Sequence, residues 1–83
     1  MRIKKSAQKE LASLPSTVLG RVGEAIESLS TNPRPTGAVK LTGTDHDFRI
    51  RVGVYRVIYS IDDKSRTVEV MRVRHRKDAY RDS

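Results

Sequence analysis

Between Asp47 and Ile61 the chain alternates. Phe48, Ile50 and Val52 are separated by Arg49 and Arg51, and after Gly53-Val54 the residues Tyr55, Val57, Tyr59 and Ile61 are separated by Arg56, Ile58 and Ser60. A period of two predicts strands with one buried face. A two-residue loop with glycine first predicts a type II′ hairpin turn. Closing the hairpin there sets Val52 opposite Tyr55, Arg51 opposite Arg56 and Ile50 opposite Val57. One face is then aliphatic and aromatic, with Tyr55 and Tyr59 assigned to the core. The other face carries Arg49, Arg51 and Arg56.

The period changes upstream. Ala7, Leu11 and Leu14 recur at helical spacing after Ser6, a candidate N-cap, and Glu10 suits the positive end of that helix dipole. Pro15 stops this helix, and Ser16 or Thr17 can cap the next. The second helix buries Val18, Val22, Ile26 and Leu29, with Leu19 and Ala25 beside them. Gly20 and Gly23 weaken it by about 1 kcal/mol each relative to Ala, unless they permit close packing. Met1–Lys5 has room only for a very short strand with Ile3 facing in. Residues 30–37 (STNPRPTG) read as a loop, and Ala38–Thr44 leads back to the sheet with Leu41 as an apolar plug. Asp62–Ser65 is a polar turn before a strand at Thr67–Val73.

That last strand has an interrupted pattern. Val68 and Val70 share one face, whereas Met71 and Val73 share the other. A β-bulge near Met71-Arg72 returns Val73 to the core and swings Arg72, Arg74 and Arg76 onto the arginine face. Lys77–Ser83 is a short C-terminal tail or helical turn carrying Tyr80 and Arg81. The predicted fold is a single α+β domain over residues 1–83. An N-terminal αα-hairpin packs on a small twisted antiparallel sheet.

Charge sharpens the picture. The net charge is +7, and it is uneven: residues 1–48 hold 7 basic and 5 acidic side chains, residues 49–83 hold 10 and 5. In the second half only Lys64 and Lys77 are lysines. Arginine forks onto phosphate and stacks on bases, so nucleic acid or an acidic protein is the expected partner. The bland reading of the same residues is a solvated basic surface. Arg49, Arg51 and Arg56 mix no signs, however, and like charges across a strand pair are destabilising. The chain contains no cysteine, no apolar run of membrane length and no signal-peptide pattern at its start, which suits a cytoplasmic protein. Asp45-His46-Asp47 lies in a turn without a further ligand, so no metal or cofactor is expected.

The words KSAQKELASLP, NPRPTGAVKLTG, FRIRVGVYRVIYSI and VRHRKDAYR, in this order and spacing, resemble the RelE/ParE superfamily of bacterial toxins from type II toxin–antitoxin pairs. The RelE branch, ribosome-dependent messenger-RNA endonucleases, is the nearer match. The resemblance implies a toxin that enters the ribosomal A site and drives a 2′-hydroxyl of the message onto the neighbouring phosphate without metal. It implies catalytic roles for Arg49, Arg51, Arg56, Arg76 and Tyr80. Contacts to RNA fall to Arg72, Arg74, His75, Lys77 and Arg81. It also implies an acidic, partly disordered, RelB-like antitoxin that covers this face. Relatives often carry lysine at Arg49 or Arg51, and arginine is a poor proton acceptor. His75 has a suitable ordinary pKa, but strand alternation points it away from Arg74 and Arg76. Two other readings share the fold: a ParE-like inhibitor of DNA gyrase, and a non-enzymatic relative that binds only antitoxin or RNA.

Overall fold

The structure is a computed structural model and describes residues 1–77. The predicted sites Tyr80 and Arg81, and the tail from Asp78 onward, lie outside the described residues. Seven elements follow in order: β1 (Arg2–Ile3), α1 (Lys5–Ala12), α2 (Ser16–Thr31), β2 (Val39–Lys40), β3 (Asp47–Val52), β4 (Tyr55–Asp62) and β5 (Thr67–His75). The strands form one sheet in the order β1-β5-β4-β3-β2. No helix among the described residues is long and apolar enough to cross a membrane.

The central hairpin has the expected register, with Val52, Arg51 and Ile50 opposite Tyr55, Arg56 and Val57. Gly53 has φ +60°, the left-handed conformation that the first position of a type II′ turn requires. The β4–β5 turn also uses the left-handed region, at Arg66 (φ 54°), one residue beyond the polar run Asp62–Ser65.

The sheet is mixed rather than wholly antiparallel. β1 runs parallel to β5, pairing Arg2 with Glu69 and Ile3 with Val70, and the Lys4 amide adds a bond to the Val70 carbonyl at 2.9 Å. Parallel neighbours need a long crossover. Here both helices and three strands supply it. A two-residue strand has no periodicity to announce its partner.

Both helices lie on one face. Ala7, Val22, Ile26 and Leu29 meet Ile50, Val57, Tyr59, Ile61, Val68, Val70 and Val73 in a continuous core. Ile3, Leu11, Leu14, Val18, Ala25, Phe48 and Val52 pack at its margin. Leu19, expected beside the buried stripe, is exposed instead. The loop at residues 32–37 is strapped to the sheet end. The Tyr59 hydroxyl donates to the Pro33 carbonyl (2.7 Å), and the Arg34 guanidinium lies over the Phe48 ring while forking onto Asp63 at 3.2 and 2.9 Å. Burial pushes the Tyr59 hydroxyl above its ordinary pKa, and the hydrogen bond from Arg34 holds Asp63 below the usual carboxylate range.

The caps differ from expectation. Ser6 is inside α1, after Lys4 at the N-cap, and its hydroxyl donates to the Met71 carbonyl (3.0 Å). Pro15 occupies the N-cap of α2 in an extended conformation, so Ser16 is already helical. Pro15 lacks an N–H but keeps its carbonyl, which accepts from Leu19 at 2.8 Å. Gly20 and Gly23 do not serve close packing, because a Cβ built on either meets nothing within 4 Å. Gly20→Ala is therefore expected to raise stability by about 0.5–1 kcal/mol through helix propensity. Denaturant melts of the two proteins measure that difference.

Candidate nucleic-acid interface

The ladders sort the sheet into rungs. On the face opposite α1 and α2 lie three: Asp47–Ser60–Glu69, Arg49–Ile58–Arg72 and Arg51–Arg56–Arg74. On the core face lie Phe48–Tyr59–Val70, Ile50–Val57–Val73 and Val52–Tyr55–His75. The outer face is thus acidic at one end and purely cationic at the other. Its last rung sets three arginines across three adjacent strands, with neighbouring strands about 4.8 Å apart.

One residue of slip makes this possible. The β4–β5 register shifts between Ile58 and Tyr59, so that Ile58 pairs with Arg72 while Tyr59 pairs with Val70, and Met71 is the extra residue. Val70 and Val73 are both buried although three apart, and Arg72 and Arg74 join the outer face. The bulge expected from the interrupted pattern is present. It does not carry Arg76 along. β5 ends at His75, Arg76 and Lys77 are helical, and the Arg76 amide donates to the Val54 carbonyl at 2.7 Å. Arg76 therefore stands at the hairpin tip, just past the end of the arginine rungs.

The individual arginines differ in exposure. Arg51 is exposed, Arg49 is half-buried, and Arg56, in the middle of its rung, is only 8 % exposed. A groove of about 410 Å³ opens beside Arg49 and Arg51, bounded by Thr36, Gly37 and Val39. His75 falls on the core-face rung, where its ring meets Tyr55 edge-on at 5.4 Å between centroids, and its Nδ1 accepts from the Lys77 amide (3.2 Å). This removes it from the arginine rungs. Asp45 forms an ion pair with Lys40 at 3.2 Å in the loop before β3.

Sequence reasoning missed Glu10. It is not in the first turn of α1; it reaches β5. Its Oε1 accepts the Val73 amide at 2.9 Å, and its Oε2 lies 3.3 Å from an Arg72 Nη and 3.4 Å from Arg74 Nε. Ser6 and Glu10 stand four apart on α1, and that i, i+4 pair of polar side chains between apolar positions was the available signal. The full arrangement offers guanidinium groups at fixed spacing on the sheet face opposite α1 and α2. Such groups bind phosphate bidentately and stabilise charge that grows during phosphoryl transfer.

The architecture, two helices on one face of a five-stranded mixed sheet, matches that of solved RelE toxins. It superposes on the archaeal RelE–RelB complex structure from Pyrococcus horikoshii OT3 with a TM-score of 0.80 and 34 % identity, covering 90 % of this chain and 91 % of that one. Toxin RelG of Mycobacterium tuberculosis is 40 % identical, over 98 % of this chain and 94 % of that protein. Putative toxin RelE1 of Methanocaldococcus jannaschii is 33 % identical, over 98 % and 93 %. Residues 1–80 match the family described as ParE toxin of type II toxin-antitoxin system, parDE. The chain belongs to that family and is a RelE-like toxin of a type II toxin–antitoxin system.

Like charges across a strand pair leave a stability cost that substitution exposes. Arg51 and Arg56 are directly opposite, so Arg51→Glu replaces a repulsive cross-strand pair by an attractive one. Stability is expected to rise by about 0.5 kcal/mol while affinity for RNA falls. Thermal melting and filter binding of a short RNA on one preparation check both signs.

Proposed function

We propose that the toxin acts as a messenger-RNA endonuclease in the ribosomal A site. The observation that carries this reading is the rung Arg51–Arg56–Arg74 on the sheet face opposite α1 and α2. The message supplies its own nucleophile. Its 2′-oxygen bonds to the adjacent phosphorus, the bond from phosphorus to the 5′-oxygen breaks, water takes one proton from the 2′-hydroxyl and water gives one to the departing 5′-oxygen. The products are a 2′,3′-cyclic phosphate and a 5′-hydroxyl.

The phosphorane between them carries about one more negative charge than the diester, and preorganised donors that meet that increment accelerate the step. Arg49, Arg51 and Arg56 take this role, and no metal is needed for it. Arg74 and Arg76 stabilise the leaving oxygen as charge develops there, since guanidinium groups hold their protons at neutral pH. Arg72 and Lys77 hold neighbouring phosphates. His75 faces the core at Tyr55 and serves the fold more directly than the RNA. Tyr80 and Arg81, outside the described residues, complete the set by stacking on a base and binding backbone. The whole chain works as one cytoplasmic domain.

A cognate RelB-like antitoxin neutralises it. The solved Pyrococcus relative is a RelE–RelB complex, and a net charge of +7 favours an acidic partner. Such a partner, disordered alone, folds as it covers the basic face.

The test is induced expression in bacteria with the 5′ ends of messages mapped within minutes. New ends inside codons of translated messages are expected with the wild type. They are expected to disappear with Arg56→Ala and with Arg51→Ala, the second being an exposed position that leaves the fold intact. Growth arrest with whole messages and broken DNA would instead indicate a gyrase poison. Absence of arrest would indicate a binding protein only.

A further inference from the structure

Glu10 has more partners than its place on a short surface helix requires. β1 covers the outer edge of β5 only at Glu69 and Val70, with Lys4 adding one further bond to Val70. Beyond that point α1 runs along the edge (α1 and β5 are neighbours), and its side chains take over the pairing. The Ser6 hydroxyl donates to the Met71 carbonyl (3.0 Å), and the Glu10 carboxylate accepts the Val73 amide at 2.9 Å. Val73 lies between the two arginines that β5 adds to the outer face. The same carboxylate reaches both of them, at 3.3 Å to Arg72 Nη2 and 3.4 Å to Arg74 Nε, and its side chain is only 24 % exposed.

We infer that Glu10 is a positioning residue for RNA cleavage: it holds Arg74, and through it the Arg51–Arg56–Arg74 row, in place for the phosphate. The inference rests on the endonuclease reading above. A free arginine samples many rotamers, and catalysis by preorganised charge loses much of its effect when the donor has to be ordered during the step. One oxygen of Glu10 fixes the backbone between the arginines; the other accepts a hydrogen bond from Arg72 and forms an ion pair with Arg74 at its Nε edge. The carboxylate also offsets one positive charge of the face. Removing its charge therefore loosens the row while making the surface more attractive to RNA.

These two effects separate in kinetics. Glu10→Gln keeps a carbonyl oxygen for the Val73 amide and removes the charge that holds Arg72 and Arg74. With ribosomes programmed with one message, its kcat is expected to fall about 10-fold, the scale of a misplaced catalytic group, while KM stays level or falls. Its melting temperature is expected to stay near that of the wild type. Glu10→Ala, which removes both functions, is expected to melt lower as well. In the free protein, NMR relaxation of the Arg74 Nε–H is expected to show a lower order parameter in Glu10→Gln.

An unchanged kcat in Glu10→Gln overturns the inference. So does a fall in kcat matched by a rise in KM and a lower melting temperature, which marks a merely structural residue. Wild-type protein that leaves messages whole overturns the endonuclease reading and not the positioning. In that event the Arg74 order parameter decides alone: a drop upholds a Glu10-held row, and no change removes it.

Discussion

The bulge at Met71 decides what each face of this sheet carries. A strand of strict period two from Thr67 to His75 would either bury Val68 and Val70 together with Arg72 and Arg74 and leave Val73 outside, or bury Val73 and leave Val68 and Val70 outside. Burying two guanidinium groups without partners is prohibitive in a core this thin. The extra residue resolves the conflict. Val68, Val70 and Val73 all reach the core, and Arg72 and Arg74 both reach the open face. The three-arginine rung exists only because of that slip, and so does the placement of His75 beside Tyr55 rather than among the arginines.

A face so built works against its own stability. Three arginines in one rung repel each other, and the sheet offers them no acidic neighbour within the rung. The compensation comes from two directions. The large apolar side chains Tyr59, Leu29, Val22, Val57 and Val70 are fully buried on the opposite face. Glu10 crosses from α1 and places a carboxylate against Arg74 of this rung and Arg72 of the next. The same carboxylate closes the edge of β5, where an open amide would otherwise invite another strand. A single side chain thus ties edge protection to the electrostatics of the basic face, and ties the helical layer to the opposite side of the sheet.

The opposite end of the sheet is organised for rigidity. Arg34 is held by Asp63 and by the Phe48 ring, and Tyr59 spans the core to reach the Pro33 carbonyl. These interactions fix the loop at residues 32–37, which forms one wall of the groove beside Arg49 and Arg51 through Thr36 and Gly37. The two faces of the sheet therefore meet in β3 and β4. Their inward residues build the core, and their outward residues build the basic face.

Much of this was legible in the sequence. Alternation through Asp47–Ile61 gave the hairpin, its register and its turn, because period two and a glycine with φ +60° are local properties. The interrupted pattern at Val70–Val73 gave the bulge for the same reason: apolar spacing of three in a strand has few solutions. The basic face and its arginines followed from those two facts. What the sequence did not disclose was decided by contacts distant along the chain. The parallel pairing of β1 joins residues more than 65 positions apart, and two residues carry no period. Ser6 does not cap α1, and its hydroxyl goes instead to the carbonyl of Met71, far downstream. Glu10 looked like a dipole partner until the tertiary structure laid α1 along β5, where a carboxylate meets an unpaired amide and two guanidinium groups. Local periodicity determines which side of an element faces in; only the packed chain determines which remote groups a polar side chain finds there.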